Sequence, residues 1–307
     1  MSSERVLVWL KYRFIGDAVL TTPLLQALAG RARPYVLTAP YLRPLLDAEP
    51  IECVDNVRVK GVGAFARQLR QIRSGRYDVA VVVNRSFRSA LMAKLAGISR
   101  RIGFPTEGRG PLLTDRVPYD AIGPEGACYA RLGAPLGLQV PGHPPVLTLT
   151  DEERSGGRTR LQGATVGFQP GATSKWRSIP TQHAAKIVNA FTDAGYRVAM
   201  FGGQAEREWC DALLPLLHER PIDLVGACSL RETMSALSGL DVYVAPDTGL
   251  VHTAVALGTP TVAMFSVAPG RKWGHHYAPH AVFDAPDADM QRMDVDAMVA
   301  AALERLR

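Results

Sequence analysis

Short apolar runs alternate with amphipathic stretches along the whole chain. The runs at 6–10, 35–38, 79–83, 165–168, 197–201, 242–245 and 261–265 are four or five residues long, as expected of strands buried on both faces. Between them, 22–29, 65–74, 86–96, 181–194, 206–218, 230–238 and 250–257 carry apolar residues at helical spacing. Strand, helix, strand at this interval predicts parallel sheets with helices on both faces. A last helical pattern covers 294–306.

The alternation breaks once, over 133–163, where Pro135, Pro141, Pro144 and Pro145 precede the polar stretch 151–160. This predicts a linker between two α/β domains, taken as 1–150 and 151–290. Thr150-Asp151-Glu152-Glu153 has the spacing of a capping box for a short helix opening the second half. Two doubly wound domains facing each other leave a cleft at the carboxyl ends of both sheets, where ligands bind.

Composition narrows the field. A length of 307 residues fits two domains, and 47% apolar with 21% charged residues excludes global disorder. The formal charge of +6 permits an acidic partner, but no Lys/Arg block or basic helix points to nucleic acid. Cys53, Cys128, Cys210 and Cys228 stand far apart with no C-x-x-C, so they are expected to be plain buried or half-buried thiols. No apolar run is long enough to span a membrane. The run at 6–10 is too short for a signal-peptide core, which points to a cytoplasmic protein.

Four loops could hold chemistry. The first, Phe14-Ile15-Gly16-Asp17, follows the first strand. There Asp17 either stabilises a helix N-terminus or accepts a proton from a substrate hydroxyl, and Gly16 permits close backbone approach. The second, Gln169 to Trp176, offers Thr173, Ser174 and Lys175 after the strand at 165–168, a set that suits an anionic group or is merely a solvated turn. The third is Pro246-Asp247-Thr248-Gly249 with His252. Its Thr248 and Gly249 amides would cradle a diphosphate at a helix N-terminus; Asp247 would hold sugar hydroxyls or cap the helix, and His252 is packed or functional. In the fourth, Gly202-Gly203 brings Glu206 within reach of ribose hydroxyls. No Walker loop, G-x-G-x-x-G, H-E-x-x-H or G-x-S-x-G occurs. His275 and His276 have no further ligands nearby in sequence, so no metal is expected.

Taken together and in order, these blocks resemble glycosyltransferase family 9, the ADP-heptose:lipopolysaccharide heptosyltransferases. The resemblance rests on Ile15 to Pro23, on Arg101-Ile102-Gly103-Phe104 with 108–114, on Pro170-Gly171-Ala172 with Lys175-Trp176, and on Pro246-Asp247-Thr248-Gly249 with His252 and 256–260. It covers about residues 5–283. The chain departs from the family pattern at 266–271, beside the donor loop.

The resemblance implies the GT-B architecture: two Rossmann-like domains, with the acceptor in the first and the nucleotide-sugar in the second. Helix 291–307 would pack back on the first domain. Asp17 would be the catalytic base, Thr173 and Lys175 the diphosphate contacts with Ser174 beside them, Asp247 the sugar-binding carboxylate, and Thr248 and Gly249 the phosphate cradle. Glu206 and His252 would complete the donor site. Gly16, Arg85, Arg88 and Arg109 would meet the acceptor, Arg100 and Arg101 could join them, and all five arginines also fit a solvated face. The expected reaction is an inverting transfer from an ADP-sugar to a glycan or glycolipid hydroxyl, with no metal or cofactor. It permits peripheral contact with the inner membrane surface. The rivals are another nucleotide-sugar used on a soluble acceptor, an epimerase or hydrolase on the same frame, and a bilobal binding protein without chemistry. A dehydrogenase is disfavoured for want of the glycine fingerprint.

Overall fold

The computed structural model describes residues 4–11, 13–32, 34–56, 61–142 and 144–306. The chain divides into two compact units, Met1–Thr148 and Leu149–Arg307. In the first, strands β1 (Val6–Trp9), β2 (Tyr35–Thr38), β3 (Glu52–Asp55), β4 (Val79–Val82), β5 (Arg100–Gly103) and β6 (Asp115–Arg116) form one sheet in the order β3-β2-β1-β4-β5-β6. In the second, β7 (Val166–Phe168), β8 (Val198–Met200), β9 (Ile222–Asp223), β10 (Val242–Pro246), β11 (Thr261–Phe265) and β12 (Ala281–Asp284) lie in the order β12-β11-β10-β7-β8-β9. Every pairing is parallel. Counted within its own unit, each sheet has the doubly wound order 3-2-1-4-5-6, whose direction reverses between its first and fourth strands.

The seven strands legible as apolar runs are the central ones, and β1, β4, β10 and β11 are buried throughout. Helices pack on both faces, so each buried Val or Leu is removed from water on either side, an effect of about 1.5–3 kcal/mol per side chain. The five strands that the pattern does not reveal are β3, β5, β6, β9 and β12. They are short, part-exposed and charged: β5 reads Arg-Arg-Ile-Gly, and β6 and β9 have two residues each. Four of them lie at a sheet edge or end, where one face or flank meets water and no apolar run is required.

Thr22–Ala29 is the helix expected there, and Thr181–Asp193 and Leu230–Leu237 end one residue short of expectation. The pattern at 206–218 breaks into Arg207–Leu213 and a 3-10 turn, Leu214–Leu216, at Pro215, which has no N–H to continue the ladder. The expected linker is shorter than 133–163, because Asp151–Leu161 is a helix whose N-cap Thr150 and Glu153 form the full capping box. Its polar sequence hides it. It is held by docking on Leu230–Leu237, where Glu153 pairs with Arg231 at 2.5 Å. Arg231 holds the Glu153 carboxyl at about 2. A Cβ on Gly157 would lie 2.0 Å from the Ser235 carbonyl oxygen, so only glycine permits this approach.

The closing helix, Val295–Glu304, places Val295, Met298 and Ala302 in the core of the second unit, and Asp296 pairs with Lys186 at 2.6 Å. Its apolar stripe is used there. All four cysteines are free, two buried and two half-buried. Burial raises the thiols of Cys53 and Cys210 to about 11 and about 12. Among the described residues, no helix is long and apolar enough to cross a membrane.

Candidate active site

In each unit, the crevice between the first and fourth strands is where loops leave the sheet in opposite directions. The candidate residues gather there. In the first unit, helix Ile15–Leu20 follows β1 and carries Asp17 in its first turn, 4% exposed. The N-cap position of this helix is Phe14, so Asp17 is not its cap, although its charge lies in the first turn. Instead, Oδ1 receives the Lys11 ammonium at 3.2 Å and a hydrogen bond from the Tyr129 hydroxyl. Tyr129 lies on the helix Glu125–Arg131. Burial pushes the Asp17 pKa up, and Lys11 and Tyr129 partly oppose it. A desolvated carboxylate of raised basicity, held by a cation, is suited to removing a proton.

Beside this acid lies a cavity of about 410 Å³. Lys11, Arg13, Arg85 and Arg88 supply four cations to its wall, Glu107 and Glu125 two acids, and Trp9, Phe14 and Tyr129 aromatic surface. Arg85 stacks over Tyr119 and Arg88 over Phe65, which holds both guanidinium planes. The cavity therefore suits an anionic, ring-bearing ligand. Asp17 adjoins it through its bonds to Lys11 and Tyr129, both in the wall, and its neighbour Gly16 is half-buried.

Three of the arginines considered for the acceptor have other work. Arg109 is fully buried and donates to the Phe104 carbonyl at 2.7 Å and to the Asn84 carbonyl, so it ties the loops after β5 and β4 together from behind. Its expected place as an acceptor contact is corrected to a loop clamp, and burial lowers its pKa to about 10. Arg100 pairs with Asp115 at 3.1 Å, and Arg101 donates to the carbonyls of Leu112 and Ile98. The sequence reading missed Lys11 and Arg13, whose position directly after β1 was the available signal.

In the second unit, the loops after β7 and β10 meet. Gln169, buried at the end of β7, accepts from the Tyr243 hydroxyl at 2.7 Å and the Thr248 hydroxyl at 3.0 Å. Thr248 is the N-cap of Gly249–Ala256, but its side chain bonds Gln169 and does not cap the helix. The Val251 amide donates to the Thr248 carbonyl at 3.2 Å, so the Gly249 and Leu250 amides at the start of the helix are those left to a ligand or to water. Asp247 does not cap either. It is buried, and Arg177 donates to its carboxylate at 3.2 Å and to its carbonyl at 3.1 Å. Burial raises the Asp247 pKa, and Arg177 opposes it.

In this unit sequence reasoning missed Arg177, because Lys175 in the same loop drew the assignment. Lys175 is exposed, with its ammonium 5.4 Å from the Trp176 ring centre, and Thr173 is exposed too, while Ser174 is half-buried. Glu206 is buried, and its carboxylate accepts from the Gly203 amide at 2.6 Å; it backs the glycine loop rather than standing open to a ribose. A Cβ on Gly171 would lie 3.1 Å from Glu206 Cγ, so the two loops touch. His252 is packed: its Nδ1 lies 2.9 Å from His275 Nε2, and Tyr277 bonds the other nitrogen of His275 at 3.2 Å. Among the described residues, no group of three or more His, Cys, Asp or Glu side chains is placed to hold a metal ion.

Comparison with known proteins bears on this geometry. The family model for glycosyltransferase family 9 (heptosyltransferase) matches residues 65–285. Lipopolysaccharide heptosyltransferase 2 of Escherichia coli K12 is 29% identical over 282 residues, covering 82% of this chain and 80% of that protein. The solved structure of the E. coli ADP-heptose lipopolysaccharide heptosyltransferase II superposes with a TM-score of 0.82 at 24% identity, over 99% of this chain and 100% of that one. A family 9 glycosyltransferase from Veillonella parvula superposes at 0.85 with 17% identity, over 100% and 98%. These structural likenesses establish the GT-B fold. The chain belongs to glycosyltransferase family 9, the heptosyltransferase family, and is a glycosyltransferase.

Proposed function

We propose that this protein moves a heptose from ADP-heptose to a hydroxyl of the lipopolysaccharide core, with inversion at the anomeric carbon and without a metal. The observation that carries the reading is Asp17, a buried acid held by Lys11 beside a cavity with four cations on its wall. Asp17 removes the acceptor's proton as its oxygen attacks the anomeric carbon. The bond from that carbon to the diphosphate breaks through an oxocarbenium-like state, and the electron pair leaves on the diphosphate. In the second unit, the Thr248 and Gly249 amides and Arg177 take up that charge, and Asp247 holds the sugar hydroxyls. Arg177 replaces Lys175 as the principal cation, because it is the one that reaches Asp247. Thr173, Ser174 and Lys175 remain as outer contacts of the same loop. The donor and acceptor are those in the names of the similar heptosyltransferases. A cytoplasmic enzyme touching the inner membrane surface completes the proposal.

The test is thermal shift with saturating ADP, UDP, GDP and dTDP, followed by transfer from ADP-heptose to heptose-deficient lipopolysaccharide, read by mass spectrometry and anomeric NMR. Ligand at 100 times its Kd stabilises by about 2.7 kcal/mol. A shift with ADP alone, an inverted product and full activity in EDTA are expected. A shift with UDP or dTDP in place of ADP removes the heptose assignment and leaves the glycosyltransferase.

A further inference from the structure

We propose that Tyr129 and Lys11 are positioning residues for the transfer: both hydrogen-bond to Asp17 Oδ1, and they thereby make Oδ2 the oxygen that takes the acceptor's proton. This rests on Asp17 as the base. The argument begins with the carboxylate's lone pairs. Oδ1 has two, and the Tyr129 hydroxyl and Lys11 ammonium occupy both. Each donor comes from a different element: Lys11 from the loop after β1, Tyr129 from the helix Glu125–Arg131. Two anchors from two directions stop the carboxylate from turning about its bond to Cβ.

Both anchors also form part of the cavity wall, while Asp17 does not. An acceptor in the cavity therefore meets the two residues that aim the base. Tyr129 is itself 2% exposed, and burial with the nearby acids Asp17 and Glu125 raises its pKa well above the ordinary phenol value. It stays a neutral donor across the working range and does not compete for the acceptor's proton. In the step, the acceptor O–H bond breaks and its proton goes to Oδ2. The acceptor oxygen bonds the anomeric carbon, and the nucleoside diphosphate leaves with its electron pair.

The groups acting on Asp17 are few. Lys11, Tyr129 and Glu125 supply the electrostatics. The other elements packed on its helix are Thr22–Ala29, with no ionisable side chain, and Pro40–Leu45, with Tyr41 and Arg43, the latter paired to Asp55. Both anchors favour the charged form of Asp17. Activity needs that form, so it falls as pH drops through the Asp17 pKa, and losing an anchor must move that acid limb upward.

The experiment is the pH profile of kcat/KM for the wild type, Tyr129→Phe, Lys11→Met and Asp17→Asn, with melting temperatures. Tyr129→Phe and Lys11→Met are each expected to move the acid limb up by about one pH unit. The alkaline plateau of Tyr129→Phe should fall by about tenfold or less. An acid limb unmoved in both variants, while Asp17→Asn is inactive, overturns this inference and leaves Asp17 as the base. Activity retained in Asp17→Asn overturns the base reading itself. A lowered melting temperature with an unmoved limb makes Tyr129 a packing residue only.

Discussion

The two units present the same crevice in the same strand order and fill it differently. After β1 and β4, the first unit builds a walled cavity with four cations, and its acid is held by an ammonium and a phenol of that wall. After β7 and β10, the second unit places its acid against a guanidinium and leaves a helix N-terminus without a side-chain cap. Both acids are buried, and burial raises the pKa of both. The frame decides where chemistry can sit, and a handful of loop side chains decide which chemistry it is. A base needs a desolvated carboxylate aimed at a pocket. A leaving diphosphate needs fixed positive charge and amides.

If the division holds, a change in one crevice should spare the other's task. The largest effect is expected from Asp17→Asn: turnover falls by about two to four orders of magnitude, while ADP affinity by calorimetry is unchanged. A collapse of ADP affinity would end the division. Next comes Arg177→Ala, expected to weaken ADP binding roughly 10- to 100-fold, as for a hydrogen bond to a charged group, with Lys175→Ala changing it far less. The reverse ranking would return the role to Lys175.

Arg109→Met tests the clamp behind the first crevice. It leaves the buried Phe104 and Asn84 carbonyls without their donor, at about 1–3 kcal/mol each, and should lower the melting temperature by several degrees. An unchanged melting temperature with a raised acceptor KM would instead make it a contact.

The smallest effect concerns stability and pH. Asp17 has a pKa raised by folding, so its ionisation costs stability as pH rises from the ordinary carboxylate range through the folded value. Asp17→Asn should therefore melt about 1–3 °C above the wild type at pH 8, and the gain should vanish near pH 4. A variant less stable than the wild type at pH 8 would mean that the Lys11 and Tyr129 bonds outweigh burial.

Much of this was open to inspection in the residues. The apolar runs at 35–38 and 261–265 are strands β2 and β11, and the four candidate loops all follow central strands. The reason is physical: a strand buried on both faces has to be apolar along its length, and a turn that leaves it has to carry small or polar residues. Strands such as β5 and β6 were not visible, since β6 is the edge strand and β5 lies beside it, where Arg100 and Asp115 are part-exposed and pair with each other.

Within the loops, the sequence offered Asp17 and Asp247 with two meanings each, cap or chemistry, and could not choose. The folded chain shows that the N-cap positions fall on Phe14 and Thr248, so neither acid occupies one. The tertiary structure likewise decided that Arg177 and not Lys175 meets Asp247, that Arg109 turns inward, and that Tyr129, 112 residues from Asp17, completes its site. Periodicity reports how a residue stands toward its own element. Which residue of another element it meets depends on how loops and helices pack, and one chain read alone carries no record of that.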